Sequence, residues 1–159
     1  MEPTMNAALD GISKSGIRVF TQMAKQEPGC LFLTLGEPDF DTPASIREAA
    51  KASLDAGDTH YPENNGQPFL RQAIARFEQE KHGLSYAPDE IIVTVGATEA
   101  LFCALFGILN PGDEVIVPTP AFGLYEAIIK LCRGVCVPLE TRADGFQIRP
   151  AALQPALSP

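Results

Sequence analysis

The spacing of apolar residues changes near residue 88 and divides the chain into two kinds of segment. Before that point apolar positions recur at helical intervals between irregular stretches. Gly11–Gln26 sets Ile12, Val19, Phe20 and Met23 at loosely helical spacing. Cys30–Pro43 is a short extended run that breaks into a turn. Thr42 reads as an N-cap with Pro43 at the first helical position, and Ile46, Ala49, Ala50 and Leu54 give the helix that follows its apolar face, until Gly57 ends it. A loop then leads to a helix over Pro68–His82. Its stripe of Phe69, Leu70, Ala73, Ile74 and Phe77 is expected to be buried, and Gly83 stops it.

After residue 88 continuous apolar runs alternate with helical ones. Ile91–Val95 reads as a strand, Thr98–Leu109 as a helix, Asn110–Asp113 as a turn and Glu114–Pro118 as a second strand. Ala121–Leu131 is then a helix and Val135–Leu139 a third strand. Strands without apolar–polar alternation are covered on both faces, which points to a parallel α/β sheet with helices on its faces. Ala143–Phe146 is a turn signal, and a short helix start follows it. Three strands are few for a doubly wound sheet.

Composition narrows the function classes. The 159 residues suffice for one domain, and 45% hydrophobic with 20% charged residues is a globular balance. A formal net charge of −8 leaves no basic stripe for nucleic acid and disfavours an anionic membrane surface. The longest apolar run, Ala100–Leu109, is too short to span a bilayer, and the first residues lack a signal-peptide pattern. A soluble, cytoplasmic protein is expected. Cys30, Cys103, Cys132 and Cys136 form no C-x-x-C pair, and only His60 and His82 could join them, so no metal site is expected. Cys103, Cys132 and Cys136 lie in apolar surroundings and read as small core residues.

Candidate chemistry centres on the stretch IIVTVGATEAL, residues Ile91 to Leu101. The end of a parallel strand feeding a helix is where α/β proteins bind ligands. The first turn of that helix offers N–H groups and the positive end of the dipole to an anion such as phosphate. Gly96 and Ala97 let the backbone come close, and Thr98 adds a hydroxyl. Taken alone, this turn is better read as a capped strand–helix junction, with Thr98 as N-cap and Glu99 complementing the dipole. It matches neither the dinucleotide-binding nor the P-loop glycine pattern. The second strand ends in PTPAFGLY, residues Pro118 to Tyr125, which projects Phe122 and Tyr125 from a proline-stiffened loop. A flat ring beside an anion site suggests a phosphorylated aromatic ligand; ordinary core packing of Phe122 explains the spacing equally well.

Four stretches in order resemble consecutive motifs of the class I/II aminotransferases, fold-type I enzymes that use pyridoxal 5′-phosphate. They are LGEPDFDTP (Leu35–Pro43), YPENNGQPFLR (Tyr61–Arg71), VTVGATEAL (Val93–Leu101) and NPGDEVIVPTPAFGLY (Asn110–Tyr125). The resemblance implies an incomplete three-layer α/β/α large domain over residues 42–159, preceded by an N-terminal arm and small-domain segment over residues 1–41. It implies that Gly36 lies beside the substrate carboxylate and that Tyr61 reaches across a homodimer interface to the partner subunit's cofactor phosphate. It further implies that Ala97 and Thr98 form the phosphate turn with Gly96 as its lead-in, that Phe122 stacks on the pyridine ring, and that Tyr125 supports that pocket.

The same resemblance implies reversible amino-group transfer between an amino acid and a 2-oxo acid. In the family, the Schiff-base lysine, the aspartate at the pyridinium nitrogen and the arginine that binds the substrate carboxylate all follow the segment matched here. Lys14, Lys25, Lys51, Lys81 and Lys130 lie in no such lysine motif, and Lys51, Lys81 and Lys130 read as solvent faces of helices. No catalytic residue is therefore assigned, and this chain alone is expected to be inactive. Two alternatives stay open: another fold-type I enzyme such as a C–S lyase, and a non-catalytic truncated product. The family arrangement also leaves Ile91–Val95 without its neighbour, so it either pairs with Glu114–Pro118 or exposes an apolar edge.

Overall fold

A computed structural model describes residues 5–12 and 16–158. Lys14 lies outside the described residues, as does part of the helix expected from Gly11. The chain forms two compact units, Phe20–Thr94 and the combination of Met1–Val19 with Val95–Pro159. The sequence boundary between Val19 and Phe20 falls within helix α1 (Gly16–Ala24).

The Phe20–Thr94 unit is helical. Helix α2 spans Ala44–Asp55. Pro43 is its N-cap rather than its first residue, and Thr42 lies outside it, because Pro43 takes an extended conformation (φ −49°, ψ 140°). Helix α3 spans Pro68–His82, with Pro68 in the first turn and Gly83 at the C-cap. Lys81 and His82 in its last turn complement the dipole. The stripe of α3 is not buried as expected: Phe69, Leu70 and Phe77 are exposed, and Ala73 and Ile74 half-buried. Within this unit the 3-10 turn Pro88–Glu90 packs on α3 and is too small to cover an apolar face.

Residues 91–95 form no strand. Ile91 is extended (φ −111°, ψ 130°), but Val93 donates to the carbonyl of Asn65 at 3.0 Å, a loop residue, and no ladder forms. A strand needs a row of backbone partners, and no such row forms along this segment among the described residues.

The second unit holds helix α4 (Gly96–Ile108), strand β1 (Glu114–Thr119), helix α5 (Leu124–Leu131), strand β2 (Val135–Glu140) and the short helix α6 (Pro150–Leu153). Strands β1 and β2 are parallel, in register from Glu114 opposite Val135 to Thr119 opposite Glu140. They are the only two strands among the described residues, so β1 keeps one unpaired edge. Helix α4 starts two residues earlier than expected and α5 three residues later, after a loop that holds Phe122.

Helix α5 is the centre of packing. It touches both strands, α4 and the 3-10 turn Ala7–Leu9. Ile128, Ile129 and Cys132 are buried with Val117, Leu139 and Thr141. Cys132 is thus a core residue, as expected, and Cys136 is half-buried, whereas Cys103 is exposed on α4. Lys130 does not face solvent freely. It is half-buried, pairs with Glu126 at 2.7 Å and donates to the carbonyl of Gly11 at 3.1 Å, which fastens the N-terminal arm to α5. No helix among the described residues is long and apolar enough to cross a membrane.

Ile129 is 1% exposed, so Ile129→Ala should cost about 2–5 kcal/mol through lost burial and the cavity left behind. Urea unfolding monitored by circular dichroism should show the midpoint falling accordingly; an unchanged midpoint would mean that α5 is not the core element described.

Candidate cofactor site

Helix α4 opens on a glycine whose backbone no other residue takes easily. Gly96 has φ +79°, in the left-handed region, while a Cβ added there would meet nothing within 4 Å. Conformation, not crowding, therefore demands glycine at this position. Val95 occupies the N-cap and has no side-chain bond to the turn. Thr98 lies inside the first turn and is not the N-cap, so the capped-junction reading loses its capping residue. The carboxylate of Glu99 accepts from the amide of Val95. Ala97 and Thr98 are exposed, and their amides belong to a first helical turn, where an N–H has no acceptor four residues back in the same helix. This geometry suits an anion.

The aromatic element lies in the same unit, in the loop between β1 and α5. Phe122 is 53% exposed. Tyr125 meets it edge to face, with ring centroids 6.0 Å apart and planes at 89°, and its amide donates to the carbonyl of Phe122 at 3.1 Å. One ring thus braces the other, and Phe122 keeps open surface for a ligand. The base of the loop is tied to the neighbouring strand. Thr141 is 5% exposed, and both its amide (3.0 Å) and its hydroxyl (2.8 Å) donate to the carbonyl of Thr119. The hydroxyl of Thr119 in turn donates to the carbonyl of Leu139 at 3.2 Å.

A cavity of about 250 Å³ lies beneath this loop, lined by Val117, Thr119, Phe122, Glu126, Cys136 and Pro138 among others. Burial pushes the Cys136 thiol above its ordinary value; Glu126 adds to the rise and Lys130 opposes it. The thiol is accordingly held neutral. Nothing in the sequence periodicity singles out Thr119, Thr141 or Cys136; the parallel register brings Thr119 and Thr141 to the carboxyl end of the strands, with Cys136 near the opposite end of β2.

The Phe20–Thr94 unit carries the other two expected site residues. Gly36 is exposed, has no positive φ, and a Cβ there would meet nothing within 4 Å. Neither its backbone nor its neighbours in this chain require glycine. Tyr61 is fully exposed at 103%. Its loop is closed by Arg71, which donates from Nε to the carbonyl of Gly66 (3.0 Å), from Nη1 to that of Pro88 (3.0 Å) and from Nη2 to Glu63 Oε2 (2.7 Å). Arg71 had a legible signal: a cation in the first turn of a helix opposes the dipole, so its charge must answer to something else.

The residues of the second unit fit a phosphorylated pyridine on two counts. A helix start opened by a left-handed glycine suits the phosphate, and a braced, half-open aromatic face suits the ring.

The sequence profile of aminotransferase class I and II matches residues 28–159. The aspartate aminotransferase of Rhizobium meliloti is 37% identical over 162 residues, covering 99% of this chain and 39% of its own length. The aspartate/prephenate aminotransferase of Thermus thermophilus is 42% identical over 139 residues, covering 87% of this chain and 36% of its own. Among solved structures, the Thermus thermophilus aspartate aminotransferase with maleate superposes with a TM-score of 0.89 at 35% identity, over 98% of this chain and 42% of that one. The chain spans about 40% of the length of the curated relatives it matches.

Cys136 offers a check on the cavity. Glu126→Gln removes the charge that raises the thiol and releases Lys130, which lowers it. Both changes favour thiolate, so alkylation of Cys136 at pH 8 should quicken severalfold while buried Cys132 stays slow, as read by peptide mass spectrometry. An unchanged Cys136 rate would place Glu126 outside the cavity.

Proposed function

The chain belongs to the aminotransferase class I and II family and has part of the fold-type I architecture; from that premise we propose that it serves reversible amino-group transfer between an amino acid and a 2-oxo acid, with pyridoxal 5′-phosphate as cofactor. The observation that carries this reading is the pairing, in one unit, of the helix start at Gly96 with the open face of Phe122. When bound, the cofactor supplies an electron sink for negative charge at the substrate α-carbon.

The chain's own residues hold and orient that group. The amides of Ala97 and Thr98 and the Thr98 hydroxyl donate to the phosphate, and the positive end of the α4 dipole favours its charge. Phe122 lies against the ring face, and Tyr125 keeps Phe122 from rotating away. Gly36 leaves space for the substrate carboxylate. Tyr61 is held out from its loop to serve the cofactor phosphate of a partner subunit, so the working form is a homodimer.

The proton-carrying lysine, the aspartate for the ring nitrogen and the arginine for the substrate carboxylate belong, on this reading, to the part of the family's length that the chain does not span. Lys51 and Lys130 are engaged by Glu48 and Glu126. The chain provides the N-terminal arm (1–41) and the first part of the cofactor-binding domain (42–159), works in the cytoplasm, and is inactive by itself.

Titration with pyridoxal phosphate and with pyridoxal separates the two halves of the site. Thr98→Ala should weaken the phosphate ester about tenfold, the effect of one charge-assisted hydrogen bond, and leave pyridoxal unchanged. Equal losses for both ligands, or none for either, would contradict the assignment of the phosphate to this turn.

A further inference from the structure

The loop that carries Tyr61 combines two properties that pull in opposite directions. Its aromatic side chain is entirely in water, yet its backbone is fixed from several sides. The amide of Gly66 donates to the carbonyl of Glu63 at 2.8 Å, and the amide of Val93 to the carbonyl of Asn65 at 3.0 Å. Gly66 has φ +97°, and a Cβ there would lie 2.6 Å from Val93 Cγ2 and 2.7 Å from Val93 Cβ. No side chain fits between loop and segment.

The guanidinium of Arg71 closes the remaining side. Its side chain is 12% exposed, and three of its N–H groups are spent on three acceptors in two stretches of chain: Glu63 and Gly66 in the loop, and Pro88 beyond α3. Two of the acceptors are neutral carbonyls, so the arrangement uses the planar fork of arginine and not only its charge. An ammonium has no such fork and cannot reach all three acceptors in one geometry. Val93, pinned by the same loop, stands three residues before Gly96 in the chain.

We propose that Arg71 is the positioning residue for Tyr61: its three-way clasp holds the 61–66 loop in the one conformation that presents the tyrosine hydroxyl to a phosphate group. The inference rests on the reading of Tyr61 as a phosphate ligand. It adds the reason for the loop's rigidity. An exposed side chain on a mobile loop loses conformational freedom when it binds; a clasped loop has already lost it, and the saving appears as affinity.

The test is a set of pyridoxal phosphate titrations on the full chain, with pyridoxal as the phosphate-free control and backbone hydrogen exchange alongside. The variants are Tyr61→Phe, Arg71→Lys, their combination, and Arg76→Lys on the exposed side of α3 as control. Glu63→Gln is the milder variant, which keeps an acceptor for Nη2 without its charge. Arg71→Lys and Tyr61→Phe should each weaken pyridoxal phosphate about tenfold, the double variant no further, and Glu63→Gln about threefold. Pyridoxal binding and the melting temperature should stay near those of the parent, while the Gly66 and Val93 amides exchange faster in Arg71→Lys. Should Arg71→Lys fail to fold, Glu63→Gln with Tyr61→Phe forms the same cycle.

If Tyr61→Phe leaves the affinity unchanged, the reading of Tyr61 falls and the positioning role falls with it. If Tyr61→Phe weakens binding but the Arg71 and Glu63 variants do not, or if the losses add, the clasp is a structural tie only and the proposal alone is overturned.

Discussion

The burial of Ile128, Ile129 and Cys132 between α5 and two parallel strands is the interaction on which the ordered part of the site depends. These three residues, with Val117, Leu139 and Thr141, make up the buried set among the described residues. The burial fixes where α5 begins, and so where the loop after β1 must hold Phe122. Thr141 then clamps the end of β1 through the Thr119 carbonyl. Buried polar groups of this kind are costly unless paired, and here both donors of Thr141 converge on one acceptor. Helix α4 is the counterexample in the same unit. It is apolar on nearly every side, yet Phe106 is 65% exposed and stacks only on Phe102, 5.6 Å away. A helix of that composition reaches its stable form when covered, and the cover is not supplied among the described residues.

The site residues differ in how they are held. At Gly96 the backbone does the work: a left-handed glycine turns the chain into α4. At Phe122 a side chain does it, with Tyr125 against the ring edge. At Tyr61 neither suffices, and a guanidinium spans three acceptors to set the loop. Each device limits freedom before a ligand arrives, and preorganisation of that kind contributes to affinity without any added contact.

Much of the fold was legible in the sequence where local chemistry decides the outcome. Helix α3 begins at Pro68 and ends before Gly83, as its punctuation implies, and the parallel pair β1–β2 follows from two apolar runs without alternation. Readings failed where a partner decides. Residues 91–95 have strand composition, but composition supplies no neighbour, and their amide goes to Asn65. The stripe of α3 has core periodicity without a surface to bury against. Thr98 looked like a cap because threonine favours caps, whereas the left-handed Gly96 starts the helix earlier. Motif order revealed Gly96 to Thr98, Phe122, Tyr61 and Gly36 as candidates. The long-range contacts of Thr141, Cys136 and Arg71 leave no periodic trace.

In the proposed reading the α4 start and the Phe122 face together receive one phosphorylated ring. Amide and aromatic chemical-shift mapping of the isotopically labelled chain during addition of pyridoxal phosphate tests it most directly. The largest shifts should fall at the Ala97 and Thr98 amides and at the Phe122 ring protons, saturating together with a single dissociation constant. Shifts that bypass both places, or that saturate separately at each, would contradict it.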